Sequence, residues 1–157
     1  MNITFALRSR LVLIIASLLL SWMVGIGVYQ NCVVIPSWFE APPASFARIN
    51  QYGKTEIRFW IPMQILTVCT LIAALLVHWH EPARRPPVLA ALLCYLVAVA
   101  VTAAYLAPRI VAWGKIGPGD VIAEGVRAAV DQWRALSWIR QCILIAADFL
   151  LLCALAT

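Results

Sequence analysis

A chain of 157 residues that is 64% hydrophobic and only 12% charged, with a mean hydropathy of +0.90, is excluded from the soluble globular class. Its apolar runs are too long for a water-soluble core and make it an integral membrane protein. The formal charge of +5 comes from basic residues scattered through the connectors, which points to the lipid bilayer as partner and excludes nucleic acid.

A head bearing Arg8 and Arg10 leads into the first expected span, residues 11–35. Its apolar run is about twice the length of a signal-peptide core and lacks a small-residue cleavage site, so it is expected to stay in the membrane. Ser17, Ser21 and Gly25 recur every fourth residue, a stripe that admits a close helix neighbour. Residues 36–58 read as a loop, because Pro36, Pro42, Pro43 and Gly53 interrupt any single helix. A short interfacial helix over 45–52 fits within it, and Trp38 and Phe39 read as membrane-surface anchors.

The second span is expected over 59–80, with Pro62 in its first turn, where a missing N–H costs little. The tight connector EPARRPP, residues 81–87, leads to a third span over 88–107. Ala90, Cys94, Ala98 and Thr102 form a second small-residue stripe there, and Pro108-Arg109 closes it. After a Gly/Pro-rich loop over 110–119, residues 118–157 read as one helix in two parts. Asp120 stands at the N-cap position after Pro118-Gly119. Ile122, Val126, Ala129, Val130, Trp133 and Leu136 then lay an apolar face along the amphipathic first part. Residues 137–156 are apolar enough to span. The expected fold is all-α: one domain over 1–157, an up-down-up-down membrane four-helix bundle whose last helix extends beyond the membrane.

Arg8, Arg10, Arg84 and Arg85 lie on one side. Arg48, Lys54, Arg58, Arg109, Lys115, Arg127, Arg134 and Arg140 lie on the other, some beside acids at helical spacing, as in Glu124–Arg127 and Asp131–Arg134. A plain count of basic residues favours the second side as cytoplasmic, whereas weighting the short basic flanks leads to the expectation of both termini in the cytoplasm of a bacterial inner-membrane protein. The five cysteines, at 32, 69, 94, 142 and 153, form no C-x-x-C pair and read as reduced packing residues rather than a thiol oxidoreductase site.

At the loop-bearing end every span offers a strong hydrogen-bonding side chain at similar height. These are Gln30 and Asn31, then Gln64, then Thr102, Tyr105 and Arg109, then Arg140 and Gln141. Polar groups in hydrocarbon are costly unless they meet each other, a ligand or water. One reading is a pocket opening toward the loops, with Arg109 and Arg140 available to an anionic or carbonyl oxygen. The other is an interfacial belt whose arginines reach for phosphates. Trp38, Trp60, Trp113, Trp133 and Trp138 concentrate at the same end, while Trp79 marks the opposite interface and Trp22 is deep. Belt anchoring accounts for most of them, and lining a site for a flat aromatic ligand is the alternative.

Asp148 lies about 15 Å into the last span, on the face of Gln141, and reads as a buried acid directed into the bundle. Ser21, Trp22, Cys69 and Thr70 share its depth. Hydrogen bonding to Ser21 or Thr70 is the first reading, and a proton relay is the second. His78-Trp79-His80-Glu81 chelates a metal only if the helix has ended, and reads better as an interfacial tryptophan with polar neighbours. No metal site is expected, and no Ser/His/Asp set, P-loop or dinucleotide fingerprint is present.

Gly25 or Gly27 followed by Pro36, then Thr102 to Pro108, then Trp133 with Arg140 resemble the short motifs of the anthrone oxygenase-like family of small four-span membrane proteins. Arg109 stands where that family often has asparagine, and Ser137-Trp138 where it often has asparagine or histidine. The resemblance implies a cofactor-independent oxidation by dioxygen of a phenolic, polycyclic anthrone to a quinone. Such chemistry needs a substrate that becomes an electron-rich anion and a cationic or hydrogen-bonding site to stabilise it. Arg140, Arg109, Gln64 and Asn31 would supply that site. Tyr105, Trp133, Trp138, Trp60 and Gln141 would hold a hydrophobic aromatic small molecule. A non-enzymatic membrane subunit or homo-oligomer, packed through the small-residue stripes, is the alternative.

Overall fold

Four apolar helical rods, Ser9–Trp38, Arg58–Val77, Arg85–Gly114 and Val126–Ala156, are each long enough to cross a bilayer. The computed structural model describes residues 3–117, 119–120 and 125–157, the side chains of 3–8 and 52–57 excepted. Among the described residues the fold is all-α, with no strand. Its helices are α1 (Ile3–Tyr29), α2 (Ile35–Trp38), α3 (Ala47–Val77), α4 (Arg85–Val101), α5 (Ala107–Gly114) and α6 (Val126–Ala156). They close a ring in which α6 packs against both α1 and α4, and α3 completes the circuit on the other side. At 1.5 Å per residue, α6 is about 46 Å long, more than the ~30 Å hydrocarbon layer.

Several boundaries differ from those expected, and proline is the main reason. The first span does not end at residue 35, and the third does not stop at Pro108-Arg109. Each continues through a π-helical turn, Gln30–Val34 and Thr102–Leu106. Ile35 N–H donates to Gln30 O and Ala107 N–H to Thr102 O, one residue wider than an α-turn. Pro36 and Pro108 follow immediately. A proline has no N–H to give and its ring crowds the preceding turn, and the wider turn accommodates both effects. Pro62 lies inside α3 rather than in a first turn, because that helix starts at Ala47 and runs unbroken through Gly53 into the membrane. The short interfacial helix expected over 45–52 is therefore the leading end of the second span.

The final helix begins at Val126, after Gly125 at φ 96°, and not at Asp120. The Asp120 carboxylate instead accepts the Gly117 N–H at 2.7 Å and closes a turn. Pro118, Ile122 and Glu124 lie outside the described residues, and so does the expected Glu124–Arg127 pair. Asp131 and Arg134 do not pair. Among the described residues the ion pairs are Arg48–Glu40 and Arg84–Glu81.

Two separate cores hold the bundle. Toward the termini, Leu13, Leu20, Leu71, Val88, Ala147 and Leu151 form a dry, tightly closed layer. Toward the long loops, Phe39 sets its ring edge-on to Phe46, Trp113 and Trp133, at centroid distances of 6.0, 5.4 and 5.7 Å. Trp38 is buried in this cap and is not a surface anchor, and Trp113 and Trp133 are buried with it. Trp138 and Trp79 are exposed as belt residues are, and so is Trp22, which meets Phe59 edge-on at 5.8 Å. Arg85 lies over the Trp79 ring at 4.1 Å. Of the small-residue stripes, Ser17 and Ala98 are buried within the chain, whereas Gly25 faces open space.

Candidate functional site

Between the dry layer and the aromatic cap lies a cavity of about 1060 Å³, walled by all four spans. Met23 and Gly27 come from the first, Trp60 and Gln64 from the second, Tyr95 and Thr102 from the third, and Trp133, Ser137, Arg140 and Gln141 from the last. Its walls are mostly apolar, with a few polar groups converging from facing helices, the usual make-up of a small-molecule site.

Two cations belong to the lining, Lys115, which is exposed, and Arg140, whose guanidinium is largely buried. Arg140 Nη1 donates to Thr102 Oγ1 at 3.4 Å, and Nε is buried without a partner. Among the described residues no carboxylate pairs with it. The π turn at Thr102–Leu106 begins with the residue Arg140 contacts, so the proline-driven distortion and the guanidinium meet at one point. Across the cavity, the Tyr95 hydroxyl donates to Gln64 Oε1. That bond commits the amide oxygen and leaves the Gln64 N–H groups for another acceptor.

Gln141 is fully buried. Its Nε2 donates to Val24 O at 3.0 Å, and its Oε1 has no partner. It seats on Gly27, where any Cβ would overlap the amide oxygen. Beside it runs a buried relay of fixed polar groups. Ser137 Oγ donates to Asn31 Oδ1 at 2.9 Å, and Asn31 Nδ2 donates to Gly27 O at 2.8 Å.

The residues expected at a site divide accordingly. Arg140, Gln64, Gln141, Trp60 and Trp133 line the cavity. Trp133 also anchors the cap, since its Nε1 donates to Leu106 O at 2.9 Å. Asn31 stands behind the wall, bound to Ser137. Arg109 is exposed and lies over the Tyr105 ring at 4.6 Å, and neither residue belongs to the lining. Trp138 points outward. Asp148 accepts a hydrogen bond from Ser21 Oγ at 2.8 Å, away from the cavity, while Thr70 is spent on Thr67 O. Among the described residues no three His, Cys, Asp or Glu side chains gather as metal ligands. His78 is buried with Nδ1 2.9 Å from Ala74 O, and His80 is exposed.

Tyr95 was not singled out from sequence, and Gly27 and Ser137 entered only through the family motifs, without the contacts they make here. Tyr95 and Ser137 are polar groups in the middle of apolar helices, which is the signal that marks them. Gly27 sits one helical turn before Asn31, and its role depends on a residue more than a hundred positions away.

The family model described as anthrone oxygenase matches residues 48–150, which include nearly all of α3, α4 and α5 entire, and most of α6. No curated protein and no solved structure matches the chain.

Proposed function

Because the chain belongs to the anthrone oxygenase family, we propose that it is a membrane-embedded oxygenase that oxidises a hydrophobic polycyclic anthrone with dioxygen and no cofactor. The ring methylene becomes a carbonyl, one oxygen atom entering the quinone and the other leaving as water. Loss of a methylene proton turns the ketone into an aromatic oxyanion, the electron-rich species that gives up electrons to dioxygen. What the protein must supply is a place where that anion is stabilised and the flat ring is held.

The observation that carries this reading is Arg140, a guanidinium with no carboxylate partner among the described residues, on the wall of a large, mainly apolar cavity. An unpaired cation in such surroundings favours an anionic oxygen far more strongly than it would in water. The free N–H groups of Gln64 offer a second donor, and Trp60 and Trp133 give the ring apolar walls. Asn31 acts through Ser137 as a positioning residue rather than on substrate.

The test is oxygen uptake by the purified protein with anthrone, compared with Arg140→Ala. Removal of a principal oxyanion donor is expected to lower turnover by about 100-fold. Unchanged turnover removes this arginine from the mechanism.

A further inference from the structure

Beside Arg140, the cavity wall carries another polar group that the chain leaves unmatched, and its polarity is opposite. Gln141 is fully buried, and its amide orientation is dictated by Val24 O, which can only accept. The NH2 group must therefore face α1, and Oε1 is left as a buried acceptor with no donor. A buried acceptor of this kind costs free energy unless something outside the chain completes it.

Two polar groups nearby are already committed. The Ser137 hydroxyl is spent on Asn31 Oδ1, and Asn31 Nδ2 on Gly27 O. Gly27 keeps the space around Oε1 free of side chain, because a Cβ there would occupy the position of that oxygen. Arg140 Nε, on the adjacent residue, is a buried donor in the same condition. Among the described residues, the lining thus holds one unmatched buried acceptor, on Gln141, and unmatched buried donors on Arg140 and Trp38.

We infer that Gln141 is the specificity-determining residue of the cavity, its Oε1 accepting a hydrogen bond from a ring hydroxyl of a polycyclic ketone whose oxygen lies against Arg140. The inference rests on the proposed oxygenase reading and adds to it which ligand group is read, and by which atom. A hydroxyl completes the amide oxygen, whereas a methyl ether at the same ring position leaves it unmatched and crowds it.

The four monohydroxyanthrones, their methyl ethers and anthrone itself serve as probes. Binding is measured by quenching of tryptophan fluorescence under strict exclusion of oxygen, so that affinity is read without turnover. In the wild-type protein at least one hydroxy isomer is expected to bind roughly tenfold or more tighter than its ether. In Gln141→Leu that ratio is expected to fall to about one, with the affinity for anthrone retained. Should Gln141→Leu fail to fold, the wild-type ratios decide alone. Equal affinity for every hydroxy isomer and its ether overturns the inference while leaving the oxygenase reading intact, and means that water satisfies the amide. A ratio that survives unchanged in folded Gln141→Leu also overturns it. Failure of every probe to bind overturns the oxygenase reading and this inference together.

Discussion

Tyr95 and Gln64 are joined across the seam between α4 and α3, the phenol donating to the amide oxygen where both side chains line the cavity. The contact fixes which end of the amide is left for a ligand. Tyr95→Phe removes the donor and lets the Gln64 amide turn over. Turnover with an anthrone is expected to fall several-fold, and stability in detergent by about 1–3 kcal/mol, the cost of an unmatched buried acceptor. Chemical denaturation and initial rates of oxygen uptake check the two effects separately.

Gly25 and Gly27 are two residues apart on α1 and should respond oppositely to the same substitution. A Cβ at Gly25 meets nothing within 4 Å, whereas one at Gly27 collides with the Gln141 amide. Gly25→Ala is expected to be neutral or to stabilise by up to about 1 kcal/mol through helix propensity. Gly27→Ala is expected to cost about 1–3 kcal/mol by overpacking and to weaken ligand binding. Parallel melting curves with and without anthrone distinguish the pair. Equal behaviour would mean that Gln141 does not lie on Gly27.

Ser137 and Asn31 form a buried side-chain link between the first and last spans. Ser137→Ala leaves Asn31 Oδ1 without its donor and is expected to destabilise by about 1–3 kcal/mol. Because Asn31 stands behind the wall and the Ser137 hydroxyl is turned to it, KM should change less than stability does. A large rise in KM with an unaltered melting temperature would count against that placement.

Asp148 receives its hydrogen bond from Ser21, outside the cavity wall. Asn retains the accepting oxygen, so Asp148→Asn is expected to leave turnover unchanged within about twofold and stability equal or higher, since no carboxylate then remains in hydrocarbon. Steady-state oxygen uptake measures it. Loss of activity would bring the carboxylate into the reaction.

Hydropathy made the four spans legible, because a bilayer demands length and apolarity that few other contexts require. It also brought out the polar layer to which Gln64, Arg140 and Gln141 belong. Helix ends were harder to read. Proline normally signals a stop, yet Pro36 and Pro108 sit just past π turns that carry both helices onward, a compensation set by backbone spacing rather than by residue type. Gly53 failed as a breaker for a similar reason, since helix α3 continues through it. The tryptophans misled in another way. Burial of Trp38, Trp113 and Trp133 depends on Phe39 and Phe46 folding back from the loop, a tertiary event that leaves no periodic trace. Arg109 shared the expected height of Arg140 but lies on the outer side of its helix, over Tyr105.

The aromatic lid and the dry layer share no residues, so the molecule has a roof and a foundation that can be altered independently. Heat or detergent should unroof the chamber while the foundation still stands, and the protein would lose its grip on a guest before it loses its place in the bilayer.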